Sequence, residues 1–367
     1  QDAEFANMFR KYVTEEIYQL LTIDNLLDPT KWVDLLNSSP ELWEKTLYHT
    51  DIYLQQLSQT IYITYDYLDR VSTEYNRLFP FIRSLLSFWY TRNSRWKRIH
   101  CKIFLRTDLF DNSLMLQFPD ASNLKNNSMI LSWKPLTLYQ LLVKRLANCD
   151  SSDVLEYLKQ TPDLILNKNE IAGYLPTKSR DVMYNFIRRL IGEYMGATPK
   201  KGLSYQWIPN HLQDAHGVLA PRSFLNCFRE AARYMLEHPE EIGSLAENRL
   251  LLPTSVQKAL IKVSQSRVRE LIEEYSWLEE LQKAFSGLTM LMDKNEFISH
   301  IDMSVWNEHK KASLPEQSAY GIFSVLEKLG IVMVTSDNRV NVPEIYLHGF
   351  NMKRKGGLKR PRDIEND

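Results

Sequence analysis

Glycine is scarce, at 12 of 367 residues, about 3% where about 7% is usual. Few glycines mean few tight turns, so a mostly helical chain is expected. Cysteine is scarcer still. Cys101, Cys149 and Cys227 stand far apart with no CxxC spacing, which excludes a disulfide scaffold and a zinc knuckle and fits reduced thiols in a cytoplasmic protein. Neither sign of charge is in excess, with 45 Lys+Arg against 45 Asp+Glu. No global field therefore points to nucleic acid or membrane, and any electrostatic partner must be read by a local patch. No apolar run reaches the ~18 residues of a membrane span. The opening QDAEFANMFRKYV lacks the basic-then-apolar order of a signal peptide. What is present is ordinary for a folded protein: 44% hydrophobic, 11% aromatic and 25% charged residues, over a length that allows two or three domains.

Apolar spacing near 3.6 predicts a helix over 3–22, through Phe5, Met8, Phe9, Val13, Ile17 and Leu20. A second helix over 40–57 starts at Pro40. A β-rich run over 60–65, a helix over 72–91, a second β-run over 99–105 and a third over 128–133 follow, the last opening into a helix over 136–148. Strands alternating with helices read as βαβ units of a parallel sheet. Only about three strands are visible where a doubly wound domain has five or more, so the sheet looks incomplete. From 150 the β signal stops, with helices expected over 151–160, 178–196, 221–237 and 254–286 and a polar connection over 197–218. The last part predicts a helix over 294–301, another over 314–329 capped by Gly330, and a hairpin from 331–334 and 339–342, the outline of a winged helix.

Chemistry concentrates in two stretches. In IYITYDYLDR (61–70) an apolar strand delivers Asp66 at its carboxyl end, and Asp69 follows three residues on. Ligands of open α/β sheets bind there, and a carboxylate in that place suits magnesium, which takes one or two carboxylates plus waters and phosphate oxygens. The alternative is two surface acids after a strand. In KIFLRTDLF (102–110) a second strand ends in Arg106 with Asp108 behind it. Neighbouring strands would gather all four charges at one sheet edge; otherwise Arg106 simply pairs with Asp108 or Asp69.

A strand ending in D-x-L-D, a helix, a strand ending in L-R-x-D, then a short strand and a helix resembles the second half of a bacterial P-loop ATPase of the AAA+/STAND-related group, which includes KAP- and NACHT-type proteins. The resemblance makes 61–70 the Walker B segment, with Asp66 the Mg²⁺-linked carboxylate (through water), Asp69 the acid that orients water, and Arg106 the sensor of the γ-phosphate. MILSW (129–133) and PLTLYQLLVKRL (135–146) resemble the last core strand and the helix leading to the lid. GVLAPRSFLNCFREAA (217–232) resembles the Pro-Arg lid helix. There Pro221 suits the first helical position, and Phe224, Leu225, Phe228, Ala231, Ala232 and Met235 form one apolar face. Arg222 lies roughly 125° from that face, free to act as a second sensor or to be a solvated surface arginine. The resemblance implies an α/β plus mostly α fold: an incomplete ATPase core (1–148), a helical lid (149–250), a helical and winged-helix domain (251–352) and a basic-then-acidic tail (353–367).

No G-x-x-x-x-G-K-[ST] phosphate loop occurs. GATPKKG (196–202) has the wrong spacing and follows the sheet. The chain also begins at Gln1, so an N-terminal piece carrying the loop is expected to be missing, and the chain alone is expected to be inactive. ATP and Mg²⁺ would be cofactors of the intact protein. That protein is expected to be a molecular switch of a bacterial defence or plasmid-related system, acting with its missing segment, a protein partner or a second copy. A reading from another class is a non-enzymatic nucleic-acid-binding regulator that uses the winged helix and the cations Lys353, Arg354, Lys355, Lys359, Arg360 and Arg362. The helix 314–329 carries Glu316 and Glu327 against Lys328, which is poor for a DNA groove. RNSRWKRIHCK (92–102) is either a phosphate-facing patch or the polar loop before a buried strand. The eight histidines show no paired metal spacing, there is no G-x-S-x-G elbow, and Cys227 reads as core.

Overall fold

A computed structural model describes residues 38, 40–72, 75–93, 95–110, 116–118, 121–246, 248–301, 306 and 314–354. The helix expected over 3–22 lies outside them. The chain divides into two compact units, 1–130 and 131–367.

In the first unit, α1 (Pro40–Gln56) leads into β1 (Ile61–Tyr65), α2 (Tyr75–Asn93) and β2 (Ile99–Ile103), then short helices α3 (Thr107–Phe110) and α4 (Ala121–Asn126). β1 and β2 are parallel, with Ile61 opposite Ile99 and Tyr65 opposite Ile103. Parallel neighbours need a crossover, and α2 supplies it. Leu78, Ile82 and Leu86 of α2 pack with Leu68 and Leu109. Further along the same helix, Trp89 joins Leu54, Trp96 and Ile99. The Trp89 and Trp96 rings meet edge to face, 5.6 Å apart at 78°.

A polar pin holds this unit together. Asp51 of α1 is buried. Its carboxylate accepts the backbone N–H groups of Lys97 (3.1 Å), Arg98 (2.6 Å) and Ile99 (3.1 Å) and the Gln55 amide (2.8 Å). An ionised acceptor with four donors fixes the start of β2 against α1.

The third strand expected over 128–133 does not form. These residues carry no regular structure, and Met129, Ile130 and Leu131 are 83%, 72% and 71% exposed. An apolar β-prone run becomes a strand only when a neighbour takes its backbone groups, and β1 and β2 pair only with each other among the described residues.

The second unit is mostly helical, with α5 (Pro135–Ala147), α6 (Ser152–Lys159), α7 (Arg180–Leu190), α8 (Ser204–Leu212), α9 (Pro221–Glu237), α10 (Pro239–Ile242), α11 (Pro253–Glu274) and α12 (Leu278–Phe285). Prolines open α5, α9 and α11 in their first turns, where their missing N–H costs nothing. Ser151 and Ser179 cap α6 and α7 through their side chains. Then come β3 (Thr289–Met290), β4 (Met292–Asp293), α13 (Lys294–Ser299), α14 (Ala319–Lys328), β5 (Met333–Val334), β6 (Arg339–Asn341), α15 (Glu344–Leu347) and β7 (Lys353–Arg354). β4, β6 and β5 make a small antiparallel sheet, and β3 pairs with β7 in parallel. Gly330, at φ +69°, ends α14 as its spacing predicts.

One core runs through this unit from Leu138 to Met352. It crosses the expected boundaries at 148/149 and 250/251, so α5, the segment expected to be a lid and the C-terminal segment share one interior. α9 lies along α11, and Gly349 passes over α11 at bare backbone. Its N–H donates to Ser264 Oγ at 2.8 Å, and a Cβ there would lie 2.3 Å from Val268 Cγ2 and 2.5 Å from the Ser264 carbonyl.

Four helix expectations need correction. The helix expected over 314–329 starts only at Ala319, capped by Ser318, so Glu316 lies before it. The helix expected over 178–196 ends at Leu190, before Gly192 at φ +121°. The helix expected over 254–286 is two: Tyr275 leaves helical geometry at ψ 80°, and Tyr275 and Trp277 both turn inward. The connection expected over 197–218 contains α8, whose Tyr205, Ile208 and Leu212 are buried despite Pro209 within the helix.

Candidate functional site

β1 stops at Tyr65 because Tyr67 adopts a left-handed conformation, φ 58° and ψ 28°. Asp66 sits at the bend, and its carboxylate accepts the Tyr67 N–H at 2.8 Å. One 3₁₀ turn follows, Leu68–Arg70, which buries Leu68 and leaves Asp69 half-buried. The ladder runs one bond past β2, from Phe104 N–H to the Tyr65 carbonyl at 2.9 Å. That bond brings 104–106 alongside Asp66. Arg106 precedes α3, whose Phe110 N–H returns to the Arg106 carbonyl at 3.0 Å.

Arg106 Nη1 stands 4.0 Å from Asp69 Oδ2, each side chain about one-third exposed. An ion pair this long and this wet is worth well under about 1 kcal/mol. Asp66, Tyr67 and Asp69 form one wall of a cleft of about 200 Å³, and Phe104, Arg106 and Leu109 form the other. The Arg70 guanidinium lies 4.9 Å from the centre of the Tyr67 ring. Two carboxylates and an arginine thus converge beyond the carboxyl ends of two parallel strands, the place where open α/β sheets bind ligands. Among the described residues no three His, Cys, Asp or Glu side chains gather to hold a metal.

The Asp108 side chain lies outside the described ones. Arg222 stands in the first turn of α9 in the second unit, 75% exposed, its Nη1 3.6 Å from Glu270 of α11. Lys353 and Arg354 are part of β7 rather than of a tail. Arg354 donates to the Val342 carbonyl at 2.8 Å and faces Glu344 at 3.7 Å, which makes it a structural cation. Lys355, Lys359, Arg360 and Arg362 lie outside the described residues. In the stretch 92–102, Arg92 pairs with Glu44 at 2.7 Å, Trp96 is buried and the backbone is pinned by Asp51. That stretch spans the end of α2, the turn after it and most of β2, in which Ile99 is buried and Lys102 exposed.

Sequence reasoning missed Asp51. The signal was there: it shares a helical face with Leu47 and Leu54, both packed in the core, and a carboxylate on an apolar stripe needs donors. It also passed over His211, which is buried, stacks on Trp207 at 3.6 Å and lies 3.4 Å from Glu344. Cys227 is core as expected, and burial pushes its thiol up to about 12.

Comparisons with protein-family models, curated proteins and solved structures return no match.

Proposed function

We propose that this chain is the C-terminal part of an ATP-driven molecular switch, a P-loop ATPase of the AAA+/STAND-related kind from a bacterial defence or plasmid-related system. The observation that carries the reading is the convergence of Asp66, Asp69 and Arg106 in one cleft at the ends of two crossover-connected parallel strands. In this reading Asp66 would hold Mg²⁺ through water, Asp69 would orient the attacking water, and Arg106 would sense the γ-phosphate. When bound, the magnesium would neutralise charge on the phosphate oxygens. Arg222 serves as a lid sensor once it leaves Glu270, a surface ion pair of small energy. The succession β4, α13, α14, β5, β6 supports a winged helix. α14 carries Glu327 beside Lys328, so this module suits a protein partner or a second copy better than a DNA groove.

The phosphate loop is absent from the 367 residues, so in this reading turnover would require a longer product that supplies it. Phosphate release from Mg²⁺-ATP tests the reading. The chain alone is expected to release none. In the product of the whole reading frame, Asp66→Asn and Arg106→Ala should each lower turnover about 100-fold without changing the melting temperature. Full turnover in both variants would sink the assignment.

A further inference from the structure

The second unit carries a cationic cleft that the ATPase reading does not use. Asn185, Arg188 and Arg189 share one face of α7 at three- and four-residue spacing. Arg249 joins them from the loop between α10 and α11, and with Ala246 they line a cleft of about 410 Å³, within the roughly 300–1,000 Å³ of small-ligand pockets.

The cleft is built, not incidental. Leu250 and Leu251 both donate their N–H groups to the Leu190 carbonyl, at 3.1 and 3.0 Å, which ties the loop to the end of α7. The Tyr157 hydroxyl holds the loop from the other side through the Asn248 carbonyl at 3.0 Å. Gly192 leaves room for the Arg249 guanidinium, whose central carbon would lie 3.1 Å from any added Cβ. Arg189 is a fixed charge: it donates to the Tyr157 carbonyl and to Gln160 Oε1 at 3.1 Å, and it lies 4.1 Å from the centre of the Tyr157 ring. Arg188 and Arg249 have no carboxylate partner among the described residues. The adjoining acid, Glu193, is hydrogen-bonded to the hydroxyls of Tyr184 and Tyr194.

Three guanidinium groups and an amide, with no carboxylate among the described residues that line the cleft, disfavour a cation and offer little to an apolar ligand. Planar forked donors match phosphate oxygens in pairs. We propose that Asn185, Arg188, Arg189 and Arg249 form a binding site for a multiply charged phosphate group, either a polyphosphate or a phosphodiester backbone. The site lies wholly in the second unit and does not depend on Asp66 or Arg106.

Calorimetric titration of inorganic pyrophosphate into the chain, with EDTA present so that no magnesium-linked binding contributes, is the test. Saturable binding is expected. It should weaken about tenfold for R188Q or R249Q, further in the double variant, and not at all for R106Q. Arg188 is exposed, so R188Q keeps the fold, which circular dichroism checks, and this variant alone decides the matter should R249Q disturb the loop. A short labelled DNA duplex distinguishes the source. Duplex binding that pyrophosphate displaces and R188Q weakens identifies the phosphodiester backbone, whereas pyrophosphate binding alone identifies a polyphosphate. Failure of both probes to bind, or equal binding by a folded R188Q, would overturn the proposal.

Discussion

The first unit packs around two small clusters among the described residues, one around Ile82 and one around Trp89, whereas the second runs a single interior from Leu138 to Met352. The thin unit compensates with a buried carboxylate that gathers backbone donors. The thick unit relies on close packing, seen where Gly349 meets α11 without a side chain. The carboxylate–arginine cleft sits in the thin unit, and ligand sites are drawn from regions of lower local stability. The two regions are thus held together by different means, and the difference can be tested from both sides.

The largest effect is expected from Asp51→Leu. It leaves three backbone N–H groups without an acceptor, a loss of about 4 kcal/mol. Hydrogen exchange should show β1 and β2 amides losing protection while α9 and α11 keep theirs. Gly349→Ala is the mirror experiment. Its methyl group meets Val268 and the Ser264 carbonyl, and overpacking of this kind costs about 3 kcal/mol. Here α11 amides should lose protection and β2 should not. Loss in both units from either substitution would erase the contrast.

The smallest effect is read from the thiols, which are unpaired. Burial raises Cys101 to about 11 and Cys227 to about 12, and only the thiolate attacks a disulfide reagent. Exposed Cys149 should react first, half-buried Cys101 slowly, and Cys227 only when the second core opens. Asp51→Leu should speed Cys101 alone, and Gly349→Ala should speed Cys227 alone. Equal rates for Cys149 and Cys227 in the unaltered chain would contradict the tight interior.

Legibility followed the range of the interactions. α9 is readable to its ends because Pro221 opens it and Phe224, Phe228, Ala231 and Met235 keep one face. Asp66, Asp69 and Arg106 come together because parallel strands end on one side, a rule the apolar runs already contain. The run at 128–133 has the same local β character and, among the described residues, no neighbour to realise it. α8 is hidden by Pro209, which reads as a breaker although buried residues on both sides hold the helix. The split at Tyr275 answers to the core, not to any local break signal. The arginine cleft depends on a loop folding back onto α7 from sixty residues away, and Asp51 reaches its donors across a similar gap. Neither partnership leaves a periodic trace.

The edge-to-face pair of Trp89 and Trp96 has an optical consequence. Two indoles held 5.6 Å apart couple their electronic transitions, so each no longer absorbs as an isolated chromophore. Coupling of this kind gives a signed couplet in ultraviolet circular dichroism that disappears when the rings drift apart. Trp89 comes from α2 and Trp96 from the turn before β2, so the couplet follows the register of those two pieces. The chain therefore carries an unlabelled spectroscopic gauge of its first unit.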